Sequence, residues 1–100
     1  YNHAKDIDEK NAEVYYRIGV TNKYLKLITN SIESLKKAVE LDSTHLKAHY
    51  TLSTVYYNEA QYTEGISSLE KVIVLDRTYA KAYNKLGLIY QKLGNYHKAH

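Results

Sequence analysis

The chain lacks cysteine, proline, methionine, tryptophan and phenylalanine altogether, and glycine occurs at only 4 of its 100 positions. Without cysteine there is no disulfide framework and no thiolate metal centre, which is compatible with a reducing compartment. Without proline, nothing stereochemical interrupts a helix anywhere along the sequence. No run of about 18 uncharged apolar residues is present, and the first residues, among them Lys5, Asp6, Asp8, Glu9 and Lys10, form no signal-peptide block. These absences lead to the expectation of a cytoplasmic protein with no membrane partner. What is present, 44% hydrophobic and 25% charged residues, falls in the range of an ordinary folded domain and argues against intrinsic disorder.

The strongest signal is self-similarity. Laid over one another without a gap, residues 12–45 and 46–79 match at Tyr16 and Tyr50, Ile32 and Ile66, Ser34 and Ser68, and Leu35 and Leu69. They match again at Lys37 and Lys71, Leu41 and Leu75, Asp42 and Asp76, and Thr44 and Thr78. A third copy begins at residue 80, with Tyr83, Leu86, Gly87, Tyr90, Gly94, Tyr96 and Ala99 at the corresponding offsets. The chain therefore divides into the end of a preceding copy (1–11), repeat 1 (12–45), repeat 2 (46–79) and the start of repeat 3 (80–100). With no initial methionine, it reads as part of a larger array.

Within each copy the apolar spacing is that of two amphipathic helices, A and B. Leu52, Val55 and Tyr56 mark one, and Ile66, Leu69, Val72, Ile73 and Leu75 the other. Thr29 and Thr63, just ahead of the B stripes, are expected to cap those helices through their hydroxyls. Gly94 and Asn95 are expected to form the turn between A and B in the third copy; Lys26 and Ala60 occupy that slot earlier.

The spacing and the set Tyr83, Leu86, Gly87, Tyr90, Gly94, Tyr96 and Ala99 resemble the tetratricopeptide repeat, as do His49, Leu52, Ser53, Tyr56, Tyr62, Gly65 and Leu69 in the second copy. In the first copy Asn22 replaces the usual helix-A aromatic and Ser31 the small helix-B residue. The resemblance covers essentially the whole chain and implies an all-α fold, a right-handed superhelical solenoid of antiparallel hairpins. Small residues such as Gly19, Ser53, Gly65 and Gly87 let helices approach, so most signature residues are structural.

By the same resemblance, successive A helices line a concave groove, and off-signature A positions face a partner. These are Glu13, Tyr16, Val20, Lys23 and Tyr24; then Lys47, Tyr50, Thr54, Tyr57 and Asn58; then Lys81, Asn84, Leu88, Gln91 and Lys92. Tyrosines give contact area with a polar handle and lysines add attraction, so the expected ligand is an extended or helical protein segment of acidic character. Chaperone-binding members of the family grip a C-terminal carboxylate with Lys and Asn from the first A helix, Asn from the second and two basic residues from the third. Here Tyr16, Val20 and Thr51 fill the first slots and only Lys81 and Lys85 fit. The clamp is incomplete, which argues against a chaperone tail.

Net charge is +3, and the excess sits in Lys81, Lys85, Lys92 and Lys98 after residue 79. With only Arg17 and Arg77 as arginines there is no basic stripe for nucleic acid. His45 and His49, four apart on one face, lack an obvious third ligand; packing is expected for His49 and solvent for His45. No phosphate loop, nucleophile elbow or acid pair with a reaction geometry appears, so neither catalysis nor a cofactor is expected. The leading function is a scaffold docking a protein partner on its A helices; the alternatives are a structural spacer or a repeat segment that self-associates through its exposed ends, with nucleic-acid binding ranked behind both.

Overall fold

The structure is a computed structural model that describes the backbone of residues 2–98 and the side chains of residues 10–94. Its elements are five helices, α1 (Asn2–Tyr24), α2 (Ile28–Leu41), α3 (Leu46–Asn58), α4 (Tyr62–Leu75) and α5 (Ala80–Lys98). Among the described residues there is no strand. No helix among them is long and apolar enough to cross a membrane, and no group of three or more histidine and carboxylate side chains is placed to hold a metal.

The connections repeat as faithfully as the sequence. After α1, the amide of Leu27 donates to the carbonyl of Asn22 and that of Lys26 to Lys23; after α3, Gln61 and Ala60 make the same bonds to Tyr56 and Tyr57. This pair of bonds needs a left-handed residue at the penultimate position, and Lys26 (φ 67°) and Ala60 (φ 60°) supply it. The chain then enters the next helix at once. Leu27 and Gln61 are the N-cap residues and give no side-chain cap. Thr29 and Thr63, expected as caps, instead lie within the first turn, because the reversal consumes the residues a separate cap would occupy.

The second kind of turn joins α2 to α3 and α4 to α5. Asp42 Oδ1 accepts from the amide and hydroxyl of Thr44 at 3.0 and 2.6 Å, and Asp76 does so with Thr78 at 3.0 and 2.7 Å. These bonds to the charged form hold the Asp76 carboxyl below its usual range. At the equivalent point before residue 12, Lys10 stands where Thr44 and Thr78 stand. It has no hydroxyl for the motif, and α1 runs unbroken across the expected boundary between residues 11 and 12. Likewise α5 continues through Gly94 and Asn95, where a turn was expected. No glycine takes a positive φ, so no left-handed residue reverses the chain there.

Packing is between nearest neighbours, in two cores. One joins Leu35 and Ala38 of α2 to Ala48, Leu52, Val55 and Tyr56 of α3; the other joins Leu69 and Val72 of α4 to Ala82 and Ile89 of α5. Within each hairpin a glycine of one helix meets a serine of the other, in opposite order. In the first, Ser31 of α2 donates to the carbonyl of Gly19 at 2.7 Å, and a Cβ on Gly19 would lie 2.6 Å from Leu35 Cγ. In the second, Gly65 of α4 lies over the carbonyl of Ser53. Gly87, expected to play the same role, has nothing within 4 Å of its would-be Cβ. Helices α1, α3 and α5 contact one another in sequence, whereas α2 and α4 do not meet among the described residues. The A helices thus form the tighter, inner layer of a slab with extents of 53 × 31 × 17 Å.

Candidate partner-binding face

The inner layer carries Tyr16, Tyr50 and Tyr57 of the off-signature positions, each half-buried by a neighbouring residue. Tyr16 of α1 packs on His45 with ring centres 4.9 Å apart, and Tyr50 of α3 meets the edge of Tyr79 at 5.5 Å. These are the same pair one repeat apart. Tyr57 packs on Tyr62 at 6.0 Å. Burial, with Tyr79 adding, raises the Tyr50 phenol above its usual range, so its hydroxyl stays protonated and able to donate. Ring contacts within each repeat therefore restrict these tyrosines, and ordered rings have less side-chain entropy to lose on binding.

Between α3 and α5 lies a cleft of about 310 Å³ lined by Tyr50, Lys81, Asn84, Lys85 and Leu88. Lys85 Nζ sits 5.6 Å from the centre of the Tyr50 ring and 5.3 Å from that of Tyr57, held by the negative faces of both. Burial, and the positive charge of Lys23 across the layer, hold its ammonium below the usual lysine value. Two cations on different repeats thus share one stretch of surface, a field that attracts a negative group. Lys85 was not among the groove positions expected from the sequence; its i+4 relation to Lys81, which the clamp comparison used, was the available signal.

The other expected residues are placed as follows. Val20, Lys23 and Thr54 are half-buried, and Thr54 donates back to the Tyr50 carbonyl at 3.2 Å. Tyr24, Lys47, Asn58, Lys81, Asn84, Leu88, Gln91 and Lys92 are exposed. Lys23, Tyr24 and Asn58 line a separate hollow of about 460 Å³ at the reversal end with Lys26, Ile28 and Glu59. Thr51, in the clamp's second-helix slot, is buried and cannot reach a ligand.

Glu13 does not stand free. Its Oε2 accepts from Arg17 Nε at 3.1 Å and its Oε1 from His45 Nε2 at 2.8 Å, and first the histidine and then the arginine bond lower its pKa. The solvent position expected for His45 is corrected: its side chain is only 11% exposed, because Nδ1 accepts from the Ala48 amide at 3.2 Å and caps α3. His49 is packed, as its signature slot suggested, with Nε2 donating to the Ser43 carbonyl at 3.0 Å.

A stack of antiparallel helical hairpins repeating every 34 residues, with ordered aromatic and basic groups on its inner layer, defines a helical-repeat array. The profile described as Tetratricopeptide repeat matches residues 12–45 and the one described as TPR repeat matches residues 54–94. Between them they take in well over half of the chain, which belongs to the tetratricopeptide repeat family. Among solved structures it is similar to the crystal structure of MamA, with 30% identity and a TM-score of 0.82 over 84% of this chain and 49% of that one. The chain thus spans about half the length of the MamA chain. The second TPR of Spaghetti (RPAP3), bound to the HSP90 peptide SRMEEVD, matches at 19% identity and a TM-score of 0.87, over 93% of this chain and 85% of that chain. The Arabidopsis OM64 TPR domain matches at 16% identity and a TM-score of 0.83, over 92% and 76% of the two chains. At such identities the last two likenesses concern the fold alone. No curated protein matches the sequence.

Proposed function

We propose that the chain is a protein-interaction scaffold that docks an extended or helical partner segment of acidic character along its inner layer. The observation that carries this reading is the cleft between α3 and α5, where Lys81, Asn84, Lys85 and Leu88 of α5 line one side and Tyr50 of α3 the other. It pairs cations and an amide with apolar surface, the complement of a segment in which carboxylates alternate with apolar side chains. Tyr16, Tyr50, Tyr57 and Lys23 extend that surface over neighbouring repeats. The similarity to an array bound to SRMEEVD supports the peptide class. The same tail is a poor match here, since Tyr16, Val20 and the buried Thr51 cannot supply the missing clamp groups.

The test is titration of a fluorescent peptide of alternating glutamate and leucine with the wild-type chain and with Tyr50→Ser, Tyr57→Ser and Lys81→Glu. Each variant is checked for helix content by circular dichroism. Affinity is expected to fall about tenfold or more per substitution; equal binding by all four proteins sinks the groove reading.

A second reading, self-association through the ends, has its own observation. Val14 and Ile18 are 53% and 42% exposed, while the residues in their slots one repeat later, Ala48 and Leu52, are buried against α2. Sedimentation of this chain as a monomer at all concentrations removes that reading and leaves the groove untouched.

A further inference from the structure

We propose that His45 is a proton-sensitive latch between repeats 1 and 2, which opens when its imidazole takes up a second proton. Both ring nitrogens are committed. Nδ1 accepts from the Ala48 amide in the first turn of α3, so the single proton of the neutral ring lies on Nε2 and is donated to Glu13 Oε1 on α1. The ring face packs on Tyr16. One side chain therefore caps α3, bridges to α1 and orients a tyrosine of the inner layer.

A proton arriving at Nδ1 removes the side-chain acceptor and leaves the Ala48 amide only the His45 carbonyl at 3.1 Å, turns an N–H against the Ala48 N–H and places positive charge at the positive end of α3. The attraction to Glu13 grows in exchange, but that side chain is 44% exposed and already shared with Arg17, so the gain is small. Charged and titratable groups beside His45 are Glu13, Tyr16 and, through Glu13, Arg17 from α1; Asp42, whose carbonyl accepts from the His45 amide, from the turn after α2; and His49 from α3 itself. The next junction is an internal control. There Tyr79 takes the place of His45 against Tyr50, and Lys47 takes the place of Glu13, so the geometry recurs without an imidazole.

Backbone hydrogen exchange of the Ala48 amide against the Ala82 amide, its counterpart one repeat on, reads the latch without any ligand. The outcome is thus independent of the groove reading. Between about pH 7.5 and about pH 5, where imidazoles titrate, the protection of Ala48 relative to Ala82 is expected to fall roughly two- to thirtyfold, the span of a lost N-cap. In His45→Asn, which keeps a capping oxygen that does not titrate, and in His45→Tyr, which copies the second junction, the ratio is expected to stay constant. A constant ratio in the wild type overturns the latch. So does an equal fall in wild type and His45→Asn, which assigns the effect to His49, and so does an Nδ1–H tautomer in the ring nitrogen spectrum at pH 7.5.

Discussion

Lys26 and Ala60 hold positive φ values of 67° and 60°, a conformation that costs a residue with a side chain about 1–2 kcal/mol. Ala60→Gly relieves that cost and gives back part of it through the floppier unfolded chain; a net gain of about 0.5–1 kcal/mol is expected in urea unfolding. Two other glycines respond in opposite directions to a methyl group. Gly19→Ala drives a Cβ to 2.6 Å from Leu35 Cγ and is expected to cost about 1–3 kcal/mol. Gly87→Ala meets nothing within 4 Å and is expected to gain about 0.5–1 kcal/mol from helix propensity; thermal melts of the two variants check the contrast. His49 brings a pH dependence. Its pKa is lowered chiefly by burial, so the unfolded chain binds the proton more readily, and stability is lost as pH falls below the ordinary imidazole value of about 6.5. In His49→Leu that part of the acid sensitivity is expected to vanish from unfolding curves recorded between about pH 7 and about pH 5. At this scale the sequence was only partly legible. Repetition placed Asp42 and Asp76 with Thr44 and Thr78, but the turn they build depends on hydrogen bonds that spacing does not display. A left-handed lysine or alanine leaves no mark of its own, since the usual signal for that backbone is glycine.

Each helix is stabilised by its neighbours more than by its own sequence, and the repetition made this level the most legible. The A and B stripes found in the sequence are the faces that pack. The exceptions were the start of α1 and the end of α5, where the period predicts a boundary and a turn but the helical ladder runs through. Near-neighbour packing has a measurable consequence at Ile89, which is fully buried and lies 3.1 Å from a would-be Cβ on Gly65. Ile89→Ala is expected to cost about 2–5 kcal/mol locally. Because an array transmits instability only through adjoining interfaces, hydrogen exchange is expected to rise over α5 and the end of α4 and to leave α2 protected. Uniform loss of protection would show a single cooperative unit instead.

Across the whole molecule the proposed partner face is a property of alignment: residues far apart in sequence, Lys23 and Lys85, share one field because the A helices lie side by side. Apolar spacing located these helices and the family resemblance set them side by side; neither could show that Lys85 lies over Tyr50 and Tyr57, which depends on the angle between α3 and α5. If that field guides an acidic segment, association should slow as salt rises, while dissociation changes little. Stopped-flow mixing of the same glutamate and leucine peptide at about 50 and about 300 mM salt, spanning Debye lengths of roughly 14 to 6 Å, checks this. The contact between α1, α3 and α5, together with the gap between α2 and α4, also gives the slab unequal stiffness. Close-packed side chains resist compression, so the inner layer acts as a spine, and the outer gap is the part that can widen or narrow.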